Sequence, residues 1–147
     1  MSISPRGNKR EFSAGGVVVR GDEVVVIVPV KRSASGERVL GLPKGHPEPG
    51  ETPEQGAVRE VREEAGVWGD LVEELGDVEY VYERRGKQVT KRVRFFLFDY
   101  RGGDPADHDH EVEEARWMPL AKAAKRLTFD GERAMVERAM SRRHRDV

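Results

Sequence analysis

The chain of 147 residues contains no cysteine. That absence excludes a disulfide framework, thiolate nucleophiles and thiolate-ligated metal centres. Long apolar runs are missing as well. Hydrophobic residues make up 37% of the chain and fall into short groups, so neither a signal sequence nor a membrane-spanning helix can be placed, and the cytoplasm is the expected compartment. An excess of one charge sign is the third thing lacking. The 26 basic and 27 acidic residues leave a net charge of −1, which supplies no electrostatic ground for binding nucleic acid or an acidic membrane.

What is present is a folded domain with a heavily charged surface. The grouping of Val, Leu, Ile and Phe argues against disorder, and the length suits one domain, with no shift in composition that would mark a linker. Residues 1–147 are therefore expected to form a single domain. Residues 11–20 and 22–32 are two valine-rich runs around Gly21-Asp22 and predict paired strands. Pro29 predicts an edge or a bulge in the second. Val39–Leu42 fits a short strand. Residues 71–84 and 88–100 predict a hairpin around Arg85-Gly86-Lys87, and Val93–Phe98, apolar on both faces, a central strand covered on both sides. Glu114–Met118 fits a last strand, and Leu120–Arg126 and Gly131–Arg143 fit helices.

The most informative stretch runs from Gly45 to Val67, GHPEPGETPEQGAVREVREEAGV. Prolines and glycines between Pro43 and Gly50 predict a stiff loop. Thr52 is a good N-cap, Pro53 suits the first helical position, and Gln55 stands where a capping box has its reciprocal side chain. Gly66 can close the helix in the left-handed conformation. On a helical wheel Ala57, Val58, Val61 and Ala65 share an apolar stripe, and Glu60, Glu63 and Glu64 fall together on an adjacent face. Such glutamates repel one another by roughly 0.2–0.5 kcal/mol per pair on an exposed helix, so a cation is expected to compensate. An oxygen-only donor set favours magnesium or manganese over zinc. Arg59, one turn before Glu63 and within reach of Glu51, is expected to orient carboxylates. A merely solvated acidic face is the plain alternative in a chain that is 36% charged.

The order of residues goes further than composition. Gly45, Glu51, Arg59, Glu60, Val61, Glu63, Glu64, Gly66 and Val67 stand at every position of the Nudix box, and the chain resembles the Nudix hydrolase superfamily over nearly its whole length. The resemblance implies an α/β (α+β) fold, an α/β/α sandwich with a mixed β-sheet between helices. It also implies Mg2+ (or Mn2+) held by Glu60, Glu63, Glu64 and the backbone carbonyl of Lys44, with cleavage of a pyrophosphate linkage by water. A further acid from outside the box is implied as metal ligand or base; Glu111, ahead of Arg116-Trp117, matches that place, with Glu113 and Glu114 as neighbours that could be confused with it. The segments Leu42–Glu51, Glu11–Val17 and His110–Trp117 look most like the diadenosine polyphosphate hydrolases.

Outside the box, Lys44 and Lys91 can reach phosphate or be plain surface residues. Tyr80 and Tyr82, spaced by two with Arg84, can stack on a base or pack at the rim of the core. His46 contacts substrate or shapes the loop. His108 and His110 lie in Asp107-His108-Asp109-His110-Glu111, whose spacing gives a polar loop rather than a closed zinc set. Phe129 lines a base pocket or packs a helix. The expected partner is a small-molecule nucleotide, with no nucleic acid and no membrane, and the chain is expected to be a monomer or homodimer. Three functions compete: asymmetric cleavage of diadenosine polyphosphates with release of ATP, nucleoside triphosphate pyrophosphohydrolysis for nucleotide sanitation, and a non-catalytic nucleotide sensor.

Overall fold

The computed structural model describes residues 9–145. Its first hairpin joins β1 (Lys9–Arg20) to β2 (Glu23–Pro29) through Gly21 and Asp22, with the antiparallel register Val19↔Val24 and Arg20↔Glu23. Further along, the chain from Gly41 to Gly45 lies between these two strands. Gly41 exchanges backbone hydrogen bonds with Ile27 at 2.8 and 2.9 Å, Gly16 N–H donates to the Pro43 carbonyl at 3.1 Å, and β3 (Lys44–Gly45) pairs antiparallel with Ala14 and Gly15. The short strand expected over Val39–Leu42 is corrected accordingly: pairing there is an isolated bridge at Gly41, and the paired segment is displaced to Lys44–Gly45. Chain from this segment has neighbours on both sides, β2 at its start and β1 at its end, so it cannot run as one regular strand.

The strands β4 (Val67–Arg84), β5 (Lys87–Gly103) and β6 (Val112–Pro119) complete a six-stranded mixed sheet in the order β4-β5-β1-β2-β6, with β3 attached to β1. The β5–β1 pair is parallel and the other pairs are antiparallel. The β4–β5 hairpin turns at Arg85-Gly86, both at positive φ. The strand pairing slips between Val28 and Pro29, the bulge expected of a proline that cannot donate to the ladder. The central placement of β5 is as its sequence predicts: Val93, Phe95 and Leu97 enter one core with Met135, Val136 and Ala139 of α3 (Asp130–Arg145), together with Leu120 and Ala123 of α2 (Leu120–Arg126). Phe96 and Phe98 enter the other, with Ala57, Val61 and Ala65 of α1 (Pro53–Ala65). Helices thus cover both faces of a mixed sheet.

The start of α1 carries the full capping box: Gln55 N–H donates to Thr52 Oγ1 at 3.1 Å and Thr52 N–H to Gln55 Oε1 at 3.0 Å. Its buried face is rotated from the expected stripe. Gly56, Ala57, Glu60, Val61, Glu64 and Ala65 are buried, whereas Val58 is 41% exposed. The helix packs on the line through residues 57, 61 and 65, and this turns Val58 to solvent and two of the three glutamates inward. Gly66 closes the helix at φ +70 and donates to the Arg62 carbonyl at 2.9 Å, and β4 departs at once from Val67, four residues earlier than expected. A 3-10 turn at Pro105–Asp107, which no sequence signal had marked, follows β5.

A Cβ on residue 66 would lie 2.3 Å from the Asp104 carbonyl oxygen, while one on Gly50, at φ +87, meets open space. The left-handed conformation alone costs an alanine about 1–2 kcal/mol. Gly50→Ala is therefore expected to lower the melting temperature by a few degrees and Gly66→Ala by clearly more. Equal losses in calorimetry would show that the contact with Asp104 does not constrain this corner.

Candidate active site

The acidic face of α1 meets the Lys44–Gly45 segment. A Cβ at Gly45 would lie 2.2 Å from the Glu60 carboxyl group, so glycine is what lets that side chain lie against the loop. Lys44 N–H donates to Glu64 Oε1 at 2.9 Å. Glu64 is buried, and burial, opposed by that hydrogen bond and by the Lys44 charge, pushes its carboxyl up to about 7, with Glu60 and Asp109 adding repulsion. Burial likewise raises Glu60, and the charges of Glu63 and Glu111 act in the same direction against the relief from Arg59.

Arg59 is the counter-charge. Its Nε donates to Glu51 Oε2 at 2.9 Å and its Nη2 to Glu51 Oε1 at 3.0 Å; Nη1 donates to Glu60 at 2.9 Å and Glu63 at 3.1 Å, and Nη2 also to the His46 carbonyl at 2.9 Å. The bond to Glu51 is the largest cause of the guanidinium holding its proton even more firmly than usual. The loop after β5 is clamped to the end of α1 by Asp104 N–H on the Gly66 carbonyl at 3.2 Å and Asp109 N–H on the Glu63 carbonyl at 2.8 Å. That clamp brings Asp109 and Glu111 beside the box glutamates. Glu111 is exposed, and its own N–H donates to Asp109 Oδ1 at 3.0 Å.

A cationic row flanks the acids on the α3 side of the sheet. Lys91 stands opposite Glu11 on β1 and Tyr80 on β4. Burial first, then Lys44 and Lys31, lowers the pKa of its ammonium, with Glu11 and Glu64 opposing. Tyr82 donates to Glu11 Oε1 at 2.9 Å, and Arg84 donates to the Tyr82 hydroxyl at 2.7 Å. Tyr80 donates to Glu132 Oε2 at 2.6 Å and meets Phe129 edge-on at 5.2 Å. His46 Nδ1 lies 3.1 Å from the Phe12 carbonyl and 3.4 Å from Ser13 Oγ, and its Nε2 lies 3.6 Å from Glu11, so this ring braces the loop against β1. His108 Nδ1 faces the Asp109 carbonyl at 2.8 Å, and His110 is exposed.

The structure therefore gathers Glu60, Glu63, Glu64, Arg59 and Glu111 at one end of α1, and Lys44, Lys91, Tyr80, Tyr82 and His46 beside them. Two acids escaped the sequence reading. Asp109 lies close enough for its charge to raise Glu64. Glu132, wholly buried, accepts from Leu42 N–H at 2.7 Å; its sequence signal is an acid three, four and seven residues before Met135, Val136 and Ala139, on the apolar stripe of α3.

Among the described residues no three Asp, Glu or His side chains form a ready-made metal cage, and Arg59 bridges Glu60 and Glu63. Magnesium does not require one, being held by one or two carboxylates with water and substrate phosphates. Two desolvated carboxylates whose ionisation is disfavoured by burial are a donor set that a hard cation fits.

The fold is that of the Nudix hydrolase structures. It matches a NUDIX hydrolase from Nitrosomonas europaea with TM-score 0.72 and 20% identity over 90% of each chain. A Caenorhabditis elegans Ap4A hydrolase binary complex matches with TM-score 0.64 and 21% identity, over 93% of this chain and 99% of that one. The NUDIX domain family model matches residues 9–139, and the chain belongs to that family. Among its relatives, MutT4 of Mycobacterium tuberculosis (strain CDC 1551 / Oshkosh), ascribed a mutator role by name, is 39% identical over 92% of this chain and 59% of its own length. The asymmetrical bis(5'-nucleosyl)-tetraphosphatase of C. elegans is 34% identical over 56% of this chain and 60% of its own. The NAD-capped RNA hydrolase NudC of Stutzerimonas stutzeri (strain A1501) is 33% identical over 71% of this chain and 34% of its own. The chain thus spans about a third to three-fifths of the relatives it matches.

Because the Arg59 fork grips Glu51 with two parallel bonds, a lysine there cannot replace it. Arg59→Lys is expected to lower the urea unfolding midpoint at neutral pH and Arg59→Ala to lower it further, because neither can restore the paired bonds to Glu51. A wild-type midpoint for Arg59→Lys would remove Arg59 from its role as organiser of the acids.

Proposed function

We propose that this Nudix hydrolase acts on diadenosine polyphosphates, cleaving diadenosine tetraphosphate or longer relatives asymmetrically with ATP as one product. The observation that carries the reading is the meeting of two charge sets on one segment: the Lys44 N–H holds Glu64 of the acidic set, while the Lys44 side chain belongs to the cationic row with Lys91. A polyphosphate bearing a divalent cation complements both. The C. elegans tetraphosphatase supports the choice of substrate.

In this reading Glu60, Glu63, Glu64, Glu111 and the Lys44 carbonyl hold Mg2+ or Mn2+. When bound, the cation lowers the pKa of a coordinated water and offsets charge on the bridging oxygen. Arg59 keeps the carboxylates aimed, and Lys44 and Lys91 bind the phosphate chain and fix its line relative to the acids. Glu111, exposed at the edge of the acids, completes the metal set or serves instead as the base for the attacking water. Tyr82 offers a partly exposed ring for an adenine, with Tyr80 and Phe129 as the wall behind it. His46 keeps the loop registered on β1. A second reading, pyrophosphohydrolysis of a nucleoside triphosphate, is favoured by the 39% identity to MutT4.

A substrate panel with magnesium, resolved by chromatography, separates these. ATP together with an adenosine nucleotide from a dinucleoside polyphosphate is the expected product pattern; preferential release of pyrophosphate from a nucleoside triphosphate would transfer the assignment to the second reading. Glu63→Gln and Glu64→Gln are each expected to lower kcat by about 100-fold or more while melting as folded proteins. Near-normal turnover in either would contradict the metal site.

A further inference from the structure

We propose that Glu132, which lies on α3 and outside the acidic box, is a positioning residue that aims the Lys44 ammonium and fixes the Leu42–Lys44 segment against Glu64. The inference rests on the reading of Lys44 as a phosphate-binding residue. Glu132 is wholly buried on a helix stripe otherwise occupied by Met135, Val136 and Ala139, a position where an apolar side chain would pack without the cost of burying a carboxyl group. Each of its oxygens is engaged. Oε1 accepts from Leu42 N–H at 2.7 Å, and Oε2 accepts from the Tyr80 hydroxyl at 2.6 Å and from Lys44 Nζ at 3.4 Å. These partners come from the loop before α1 and from β4, so one side chain ties three separate elements.

The geometry at Lys44 gives the tie its functional meaning. Its contact with Glu132 is single and long and takes one of the three ammonium donors, which sets the direction of the side chain without consuming it. The same lysine's N–H holds Glu64 at 2.9 Å. Two residues earlier Leu42 N–H is held by Glu132, and Leu40 is tied to Thr128 by Leu40 N–H on Thr128 Oγ1 at 2.8 Å and Thr128 N–H on the Leu40 carbonyl at 2.9 Å. A shift of α3 therefore reaches Glu64 through a short run of backbone held at Leu40, Leu42 and Lys44. The Tyr80 hydroxyl stiffens the arrangement, because burial and the neighbouring carboxylate both hold its proton in place.

The test is a double-mutant cycle of Glu132→Gln and Lys44→Gln, read both as kcat/KM with magnesium and as ATP affinity in EDTA by calorimetry. Each single variant is expected to remain folded and to lose about tenfold in both readouts, and the double variant to lose no more than the worse single. Multiplying losses, about 100-fold in the double variant, would overturn the proposal, because a merely structural Glu132 acts independently of Lys44. If Glu132→Gln does not fold, Tyr80→Phe enters the same cycle: it leaves the carboxyl group and removes the hydroxyl that fixes Oε2, and the same distinction between non-multiplying and multiplying losses decides. Failure of the wild type to hydrolyse any polyphosphate in the panel would refute the proposed activity, while the calorimetric cycle would still decide the coupling.

Discussion

A single guanidinium balances the acids on which the site is built. Glu51, Glu60 and Glu63 each accept from Arg59 at 2.9–3.1 Å, and the His46 carbonyl takes one of its remaining donors. Glu60 lies on the packed side of α1, where burial already disfavours its charge. Without the guanidinium, three carboxylates and a carbonyl oxygen would face one another across a few ångströms, and the helix would gain by turning the acids outward. With it, the helix can pack along Ala57, Val61 and Ala65 and still carry its glutamates toward the loop. The bonds to Glu51 and His46 also fasten that loop to the helix, so neutralising the acids and locating the loop are one interaction.

The loop is held from its other side by the sheet. The Gly41–Gly45 segment lies between β1 and β2 and has its backbone groups bonded to Ile27, Gly16, Ala14 and Gly15. This explains how so short a stretch, rich in residues that break regular structure, can be rigid: its order comes from neighbours distant in sequence. Lys44 is thereby fixed at a point where α1, β1 and α3 all contribute bonds. Rigid placement matters for phosphoryl chemistry, in which the protein mostly holds charges in line.

Local signals were legible in the chain where local physics governs. The capping box at Thr52 and Gln55, the left-handed Gly66, the bulge at Pro29 and the two-faced core strand through Phe95 and Phe96 depend on neighbours a few residues away or on simple alternation, and the structure has all of them. The family also followed from the spacing of the box. Where the sequence misled, packing chose among local options. Val58 fits an apolar stripe on a wheel, yet the sheet selects the stripe one residue further round. Val39–Leu42 has strand composition, yet only Gly41 finds a strand partner, at Ile27, and Leu40 is bonded instead to Thr128. Glu132 stands out locally as an acid on an apolar stripe, but its partners at Leu42, Lys44 and Tyr80 are 52 to 90 residues away, so the stripe does not disclose what it holds.

The two halves of the site are perturbed in opposite senses by the same cause. Burial is the largest influence on Glu64, whose proton it helps retain, and on Lys91, whose proton it helps release. Each group also feels like charge: Glu60 and Asp109 around Glu64, Lys44 and Lys31 around Lys91. Letting the two sets cancel directly would require carboxylate and ammonium side chains to close on each other, but the Lys44 backbone stands between them, giving its N–H to Glu64 and its side chain to the other row. Cancellation is thus left to a ligand that carries both signs in the right order, cation toward α1 and anion toward β5. The magnesium-bound polyphosphate of the proposed function has that order, and the longer its phosphate chain, the more of the Lys44–Lys91 row it would engage. Under the proposed function, discrimination by chain length would fall to the cationic row, and the acids of α1 would serve any substrate presenting the same metal-bound anhydride.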